Sequence, residues 1–355
     1  MIGPGELLES LVATASVSGA ETALAEALTT RLAVLGLEVH RQGNNLWFEV
    51  GSRGPRLLLV SHLDTVPACA GWSADPLRPW WVGDRLYGLG ANDAKGCVAA
   101  LVLAALDLRT QAEALEARAV FAFSVEEEIG GRGIRELLPV LGPLDAAVVG
   151  EPTGLRVCSA QRGMLILKCL ARGEAAHVAH AHLGDNAIHK AARDVARLEA
   201  MRFEPHPLLG ETRAQVTTMA GGRARNQVPD SCEFFVDLRT TPNLEHAALV
   251  EQIAAELESE VAVHSDRYRP VATAGSEPVV RAALQASGNN VSVGSATASD
   301  WAFLAHLPAV KAGPGDTHRS HRPDEWLSLA ELAQGRNFYQ QLVRHYALAA
   351  AVAHG

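Results

Sequence analysis

Apolar positions along the first 160 residues follow two alternating patterns. The stretch 20–36 has apolar residues at helical spacing and ends at Gly36, and the run 98–108, after Gly96, predicts a buried helix. Short apolar runs bounded by turn residues predict strands at 46–50, 56–62, 119–125 and 146–150. Alternating helices and strands are typical of a parallel sheet covered by helices. The sequence therefore predicts an α/β fold with a mostly parallel sheet flanked by helices.

The middle of the chain has a different order of elements. Its predicted strands and helices are 164–173, 185–201, 214–222, 232–241 and 244–260. From residue 276 a helix and a short strand at 307–313 follow. Since domains average about 150 residues, we expect two. The predicted division is a catalytic domain of 1–163 and 271–355 and an inserted α+β domain of 164–270.

Composition narrows the class of protein. Of the 355 residues 48% are hydrophobic and 20% are charged, which is typical of a globular protein with a buried sheet. The net charge of −9 argues against nucleic acid as a partner. The N-terminus lacks a signal sequence and charged residues interrupt every apolar run, so we expect a cytoplasmic protein without a membrane partner. The 5 scattered cysteines predict structural thiols.

Polar side chains follow several of the predicted strands directly. Each closes an apolar run within a short turn-like sequence: His62, Asp93, Glu127, Glu128, Glu151 and His321. In an open α/β sheet ligands bind outside the carboxyl ends of the strands, so these residues are expected to converge. Two imidazoles and several carboxylates indicate a divalent metal centre, with zinc as the expected ion.

Two of these positions also have simpler interpretations. His62 and Asp64 point to the same side of an extended backbone, so the Asp64 carboxylate is expected to accept the second ring N–H and orient the imidazole. A His-x-Asp pair alone is a weak signal, although its position after a strand strengthens it. Asp93 is either the N-cap of the following helix or a carboxylate that bridges two metals. The local sequence leaves both open.

The acidic run Glu126, Glu127 and Glu128 ends an apolar strand. Adjacent carboxylates repel one another there, so we favour a cation or a catalytic task over a solvated face. One Glu is expected to bind metal while its neighbour takes a proton from water. In the last loop Asp316, His318 and His321 are all candidate ligands, and the residues alone do not choose between the histidines.

Six motifs together resemble the M20 family of metallopeptidases and deacylases. HLDTVP, NDAKG, EEEIGG, GEPTG, GPGD and HRPDE occur in that family's order, over essentially the whole chain. The resemblance implies that Asp93 bridges two zinc ions. It makes His62 and Glu151 the other ligands of one ion, and Glu128 and His321 the other ligands of the second. It makes Glu127 the general base. Cobalt is an expected substitute for zinc.

The resemblance makes the inserted domain a lid and dimerisation domain. It implies that His177 reaches across a homodimer to the substrate carbonyl. This segment departs from the family, which commonly has Ser-Ser and then Pro after that histidine, and His180 and His182 are alternative candidates. The resemblance also implies that Asn226 and Arg239 contact substrate. A turn cap and a surface ion pair are the simpler interpretations of those two.

Within the family, the ending 295–326 most resembles acetylornithine deacetylases. The expected reaction is hydrolysis of a small N-acyl amino acid, N-acetylornithine, to ornithine and acetate in arginine synthesis. Alternatives within the family are succinyl-diaminopimelate desuccinylase, acetylcitrulline deacetylase and hydrolases of carrier-protein-linked lysine or ornithine. The non-enzyme alternative is an inactive, metal-free relative that only binds.

Overall fold

A computed structural model describes residues 3–354, with side chains up to residue 351, and divides the chain into two compact units. The first unit is Met1–Ser159, Thr273–Val293 and Ser299–Gly355, and the second is Ala160–Ala272 with Gly294–Ala298. The divisions fall a few residues from the predicted boundaries. The short segment 294–298 groups with the second unit, although the sequence predicted it within the catalytic domain.

The elements follow in chain order. The helices are α1 Pro4–Val12, α2 Thr22–Val34, α3 Lys95–Arg109, α4 Arg132–Leu141, α5 Ala187–Ala200, α6 His246–Glu256, α7 Pro278–Ser287 and α8 Leu329–His354. The strands are β1 His40–Gln42, β2 Asn45–Val50, β3 Arg56–His62, β4 Trp80–Val82, β5 Arg85–Tyr87, β6 Arg118–Ser124, β7 Ala146–Val149, β8 Cys158–Gln161, β9 Met164–Arg172, β10 Ala214–Gly221, β11 Ser231–Leu238, β12 Glu260–Tyr268, β13 Val271–Ala272, β14 Val293–Ser295, β15 Ala309–Lys311 and β16 Trp326–Ser328.

The main sheet of the first unit has four parallel strands at its centre. Its strands lie in the order β1-β2-β6-β3-β7-β15. β6, β3, β7 and β15 run parallel, whereas β1 and β2 are antiparallel at the edge. Residues 57–60 of β3 are fully buried, as expected for an apolar run covered by helices on both faces. The fold is therefore α/β, with a mixed sheet flanked by helices.

Helix α3 fixes the turn that carries Asp93 against the core of the first unit. It packs against α1, α8 and β3, and its residues 95–105 are all buried. The buried Lys95 at its start donates a hydrogen bond from Nζ to the main-chain oxygen of Thr14 at 2.9 Å. The start of α3 is thereby held between the sheet and the N-terminal helix.

The second unit is an antiparallel sheet with two helices. Its strands lie in the order β10-β11-β9-β12, and α5 packs against three of them. Residues of β9 and β11 alternate between buried and half-buried, which is the pattern of a sheet with one face in a core. Leu165, Leu167 and Phe234 are fully buried in that core.

Several elements differ from the sequence prediction. The helix predicted over 244–260 ends at Glu256, and the strand β12, which was not predicted, begins at Glu260. The helices α1 and α8 were also not predicted, although buried Leu332, Tyr339, Val343 and Tyr346 of α8 recur at helical spacing. All 5 cysteines are free. Within residues 3–354, no helix combines the length and apolarity that a membrane span requires.

Candidate metal centre

The ends of parallel strands bring most of the candidate residues to one edge of the first unit's sheet. β3 ends at His62, the acidic run follows β6, and Glu151 follows β7. His321 lies in the loop between β15 and β16. Asp93 immediately precedes Ala94, the N-cap of α3. The side chains of His62 and Glu151 are thus placed by strands that the buried core holds, whereas His321 lies in an exposed loop.

The first group of donor atoms consists of His62, Asp93 and Glu151, here called the first triad. Nε2 of His62 lies 3.3 Å from Oδ1 of Asp93 and 3.9 Å from Oε1 of Glu151. The three side chains are largely buried, with 2%, 12% and 14% of their surface exposed. Donor atoms around a tetrahedral zinc ion lie about 3.4 Å apart, so this spacing fits a single divalent ion.

The second group consists of Asp93, Glu128 and His321, here called the second triad. Nε2 of His321 lies 3.8 Å from Oδ2 of Asp93 and donates a hydrogen bond to Oε1 of Glu128 at 2.9 Å. Asp93 therefore presents one carboxylate oxygen to each triad. Asp93 is not the N-cap of α3, because Ala94 occupies that position.

Glu127 lies beside both triads. It forms a third group with His62 and Glu128, and only 8% of its surface is exposed. The acidic run is therefore not a solvated face. His318, the other histidine of the last loop, is exposed, and no donor group in the described part of the chain includes it.

Asp64 contacts the ring of His62 through both its main-chain oxygen and its carboxylate. Nδ1 of His62 lies 2.9 Å from the main-chain oxygen of Asp64 and 3.5 Å from its Oδ1. A carbonyl oxygen only accepts, so Nδ1 carries a proton and Nε2 is the ring nitrogen that faces the first triad. The carboxylate, which was the predicted acceptor, is the more distant of the two oxygens that face Nδ1. It also accepts hydrogen bonds from the main-chain N–H groups of Glu127 and Glu128, both at 3.1 Å.

The electrostatics of the site show crowded negative charge. Burial raises the pKa of Glu151 to about 8, with a further contribution from the Asp93 carboxylate. Burial also raises the pKa of Glu127 well above its usual value, and Glu151 adds to the effect. Burial alone would lower the pKa of His62, but the neighbouring Asp64 and Asp93 raise it well above its usual value. Carboxylates so close together are the donor set that a divalent cation neutralises.

Three buried polar residues near the site were not singled out from the sequence: Asn92, Asp300 and Glu325. Asp300 accepts a hydrogen bond from Oγ of Ser124 at 2.7 Å, and burial raises its pKa to about 7. Glu325 accepts hydrogen bonds from the turn that precedes α3. Asn92 and Glu325 stand inside the NDAKG and HRPDE motifs, which was the available signal.

The predicted substrate-contacting residues belong to the second unit. Nδ1 of the exposed His177 accepts a hydrogen bond from the main-chain N–H of Ala179 at 3.1 Å. Asn226 is exposed, and its main-chain oxygen accepts from the N–H of Val178. Arg239 forms a two-pronged ion pair with Asp237, at 3.0 and 3.2 Å. In this structure Arg239 thus forms the surface ion pair that was its simpler interpretation.

Comparison with known proteins supplies the family. Residues 58–345 match the model of peptidase family M20/M25/M40. The chain belongs to peptidase family M20. This M20 chain is similar to an acetylornithine deacetylase of Myxococcus xanthus, with 33% identity over 83% of this chain and 81% of the relative. It is also similar to a succinyl-diaminopimelate desuccinylase of Xanthomonas campestris, with 32% identity over 95% and 97%.

Solved structures of M20 proteins share the fold. An M20 family metallo-carboxypeptidase from Sulfolobus solfataricus superposes with a TM-score of 0.80 at 18% identity, covering 98% of this chain and all of the other. A Bacillus subtilis protein described as a dinuclear metal binding peptidase from the M20 family gives a TM-score of 0.75 at 17% identity, covering 96% of each chain. This M20 chain is accordingly a hydrolase that acts on amide bonds, and its first unit contains groups of side chains that could hold a metal ion.

Proposed function

We propose that the protein removes a short acyl group from the α-nitrogen of an amino acid, with N-acetylornithine as substrate and ornithine and acetate as products. The observation that carries the proposal is the position of Asp93 between the first and second triads, with the buried Glu127 beside both. A carboxylate shared between two donor sets, next to a carboxylate outside them, is the arrangement that hydrolysis assisted by two metals requires.

The proposed cofactor is a pair of zinc ions, for which cobalt can substitute. His62 and Glu151 would hold one ion and Glu128 and His321 the other, with Asp93 shared. The donor set supports this choice because imidazole nitrogens mixed with carboxylate oxygens suit zinc. When bound, two divalent cations lower the pKa of water and polarise the scissile carbonyl.

Glu127 is the proposed general base. Its carboxylate would accept a proton from the attacking water and deliver that proton to the amine nitrogen as the carbon–nitrogen bond breaks. Two features support this role. The side chain is buried, which shields it from bulk water, and its main chain is fixed by the hydrogen bond to Asp64. Asp64 is accordingly proposed as a positioning residue for the ligands and the base.

Three residues of the second unit are proposed to act on the substrate. His177 would donate a hydrogen bond to the developing oxyanion in the partner subunit of a homodimer, and Asn226 and Arg239 would contact substrate. The exposure of His177 and Asn226 supports a role in binding another molecule. For Arg239 to bind a substrate carboxylate, its ion pair with Asp237 has to open.

A substrate panel tests the proposal. Purified protein, reconstituted with zinc or with cobalt, would be assayed with acetylornithine, acetylcitrulline, a carrier-protein-linked lysine substrate and succinyl-diaminopimelate. We expect the highest kcat/KM for acetylornithine. The second candidate is succinyl-diaminopimelate, because the relative of that name has nearly the same identity over more of the chain. A clear preference for it would overturn the substrate assignment and retain the amide-hydrolase chemistry.

The non-enzyme alternative is tested by metal content. An inactive relative that only binds would hold no zinc after purification in zinc-containing buffer and would hydrolyse none of the panel. We expect two zinc ions per chain and turnover of at least one substrate.

A further inference from the structure

The loop that carries His321 is tied to the turn that carries Asp93 by one buried carboxylate, Glu325. Its Oε1 accepts hydrogen bonds from the main-chain N–H groups of Asn92 at 2.8 Å and Asp93 at 2.7 Å. Its Oε2 accepts from the N–H of Gly90 at 3.2 Å. Only 3% of the surface of Glu325 is exposed, so water does not replace these contacts.

Asn92 ties the same two segments together from the opposite side. Its Oδ1 accepts a hydrogen bond from the main-chain N–H of Asp316 at 2.8 Å. Its Nδ2 donates to the main-chain oxygen of Asp316 at 3.1 Å and to Oγ of Ser320 at 3.2 Å. Asn92 is fully buried. The side chain of Glu325, from the loop, thus binds the main chain of the turn, and the side chain of Asn92, from the turn, binds the loop. We call this pair of residues the loop clamp.

The loop that carries His321 has a backbone conformation that needs such support. His321 has φ of 59° and Asp324 has φ of 56°, both in the left-handed region that side chains other than Gly rarely adopt. Residues in that region persist only where surrounding contacts determine them. The side chain of His321 is also half-exposed, with 52% of its surface accessible, so packing alone does not hold it.

The two triads depend on this loop unequally. His62 ends a buried strand and Glu151 directly follows another, so the first triad keeps two ligands on the sheet. The second triad takes one of its three ligands, His321, from the clamped loop. Releasing the loop would therefore move a ligand of the second triad and leave His62 and Glu151 where they are.

We propose that Glu325, acting with Asn92 as the loop clamp, is a positioning residue that creates the second metal position by holding His321 against Asp93. The inference rests on the proposed two-metal function and adds to it that one metal position is assembled by side chains that do not touch metal. Loss of a group that orients a ligand commonly weakens metal binding by about 10- to 100-fold.

The test is zinc titration of metal-depleted protein, followed by isothermal calorimetry and by elemental analysis after dialysis. For Glu325→Ala we expect the second zinc equivalent to bind at least about ten-fold more weakly, while the first changes by less than about three-fold. Glu325→Gln retains an oxygen that can accept from Asn92 and Asp93 but loses the acceptor for the N–H of Gly90, so it should restore the affinity for the second equivalent in part.

Asp194 provides the matched control. It is a fully buried carboxylate of the second unit that accepts hydrogen bonds from the main-chain N–H groups of Glu258 and Ser259. Asp194→Ala removes a comparable anchor and should leave both zinc affinities unchanged. Asn92→Ala removes the other half of the clamp and tests the same inference should Glu325→Ala not fold.

The outcomes separate the inference from the proposed function. Wild-type protein that binds fewer than two zinc ions would overturn both. If the wild type binds two ions and Glu325→Ala binds both with unchanged affinity, or weakens both equally, the inference fails alone. A second equivalent that binds no more tightly to Glu325→Gln than to Glu325→Ala would also contradict it, because two of the three anchoring hydrogen bonds would then make no difference.

Discussion

The main-chain oxygen of Asp64 lies 2.9 Å from Nδ1 of His62, closer than either carboxylate oxygen of the same residue. The main-chain oxygen of residue 64 therefore accepts from Nδ1 of His62, and a substitution at position 64 retains this contact. The carboxylate has a separate task, since it fixes the main chain of Glu127 and Glu128 and accepts from Oγ of Ser18 at 2.7 Å.

Asp64→Ala should lower activity mainly through Glu127 and Glu128, because the main-chain contact to His62 remains. We expect kcat/KM with acetylornithine to fall by about 10- to 100-fold, the usual effect of losing a residue that orients a ligand. Ser18→Ala is the control, because it removes one hydrogen bond to the same carboxylate and should have a smaller effect. Unchanged kinetics for Asp64→Ala would show that the carboxylate does not position the acidic run.

Glu127→Gln should abolish most turnover while metal binding remains. A Gln side chain cannot accept the proton from water, and general bases contribute about 10²- to 10⁴-fold to rate. Steady-state kinetics and zinc content measured on one preparation check this. Glu126→Gln is the matched control, because Glu126 pairs with Arg132 and belongs to no donor group in residues 3–351. Its kcat should change only a few-fold.

The two histidines of the last loop should differ sharply. His321→Ala removes a member of the second triad, so we expect weaker binding of the second zinc ion and a loss of kcat/KM greater than about 100-fold, beyond what residues behind the ligands cause. His318→Ala should leave both quantities nearly unchanged, since its imidazole is exposed and outside the triads. Equal losses for the two variants would refute the assignment of His321.

Metal-depleted protein should become less stable as the pH rises from about 5 to about 7. Burial raises the pKa of Glu151 to about 8 and of Glu325 to about 8, from the ordinary 4.5. The folded state therefore binds more protons than the unfolded state in this window, and its stability falls with pH. Asp300, raised to about 7 from 3.8, acts in the same direction.

Thermal unfolding across that pH range, with and without added zinc, checks this prediction. His246 acts oppositely within the window, because burial lowers its pKa to about 4, but it is one group against three carboxylates. Lys95 also acts oppositely, but its pKa is lowered only to about 7, so its contribution comes mainly above the window. Zinc requires ionised carboxylates, so the rise in melting temperature on adding zinc should be larger at the upper end of the range. A metal-depleted protein that gains stability with pH would contradict the burial of unneutralised carboxylates.

The donor residues of the two triads could be predicted from the sequence, because a local pattern indicates where each strand ends. A buried strand followed by a polar residue marks its carboxyl end, which is how His62 and Glu151 were found. The choice of His321 over His318 came from family resemblance, and its geometric reason, a donor atom facing Asp93 and Glu128, appears only in the fold.

Other features depend on contacts that no local pattern encodes. The bond from His62 to a main-chain oxygen leaves no side-chain signature. Glu325 contacts the turn at Asn92, which is more than 200 residues away in the chain, so the sequence did not indicate its partners although Glu325 lies in the HRPDE motif. The strand β12 was not predicted, because it is defined by its pairing with β9, which is a tertiary contact; the predicted helix extended to Glu260, the first residue of this strand.

Anomalous diffraction at the zinc absorption edge, from crystals of zinc-loaded protein, tests the central claim most directly. The account predicts two peaks about 3.5–4 Å apart. One should contact His62 and Glu151, the other Glu128 and His321, with the Asp93 carboxylate between them. A single peak, or two peaks that do not share Asp93, would contradict it.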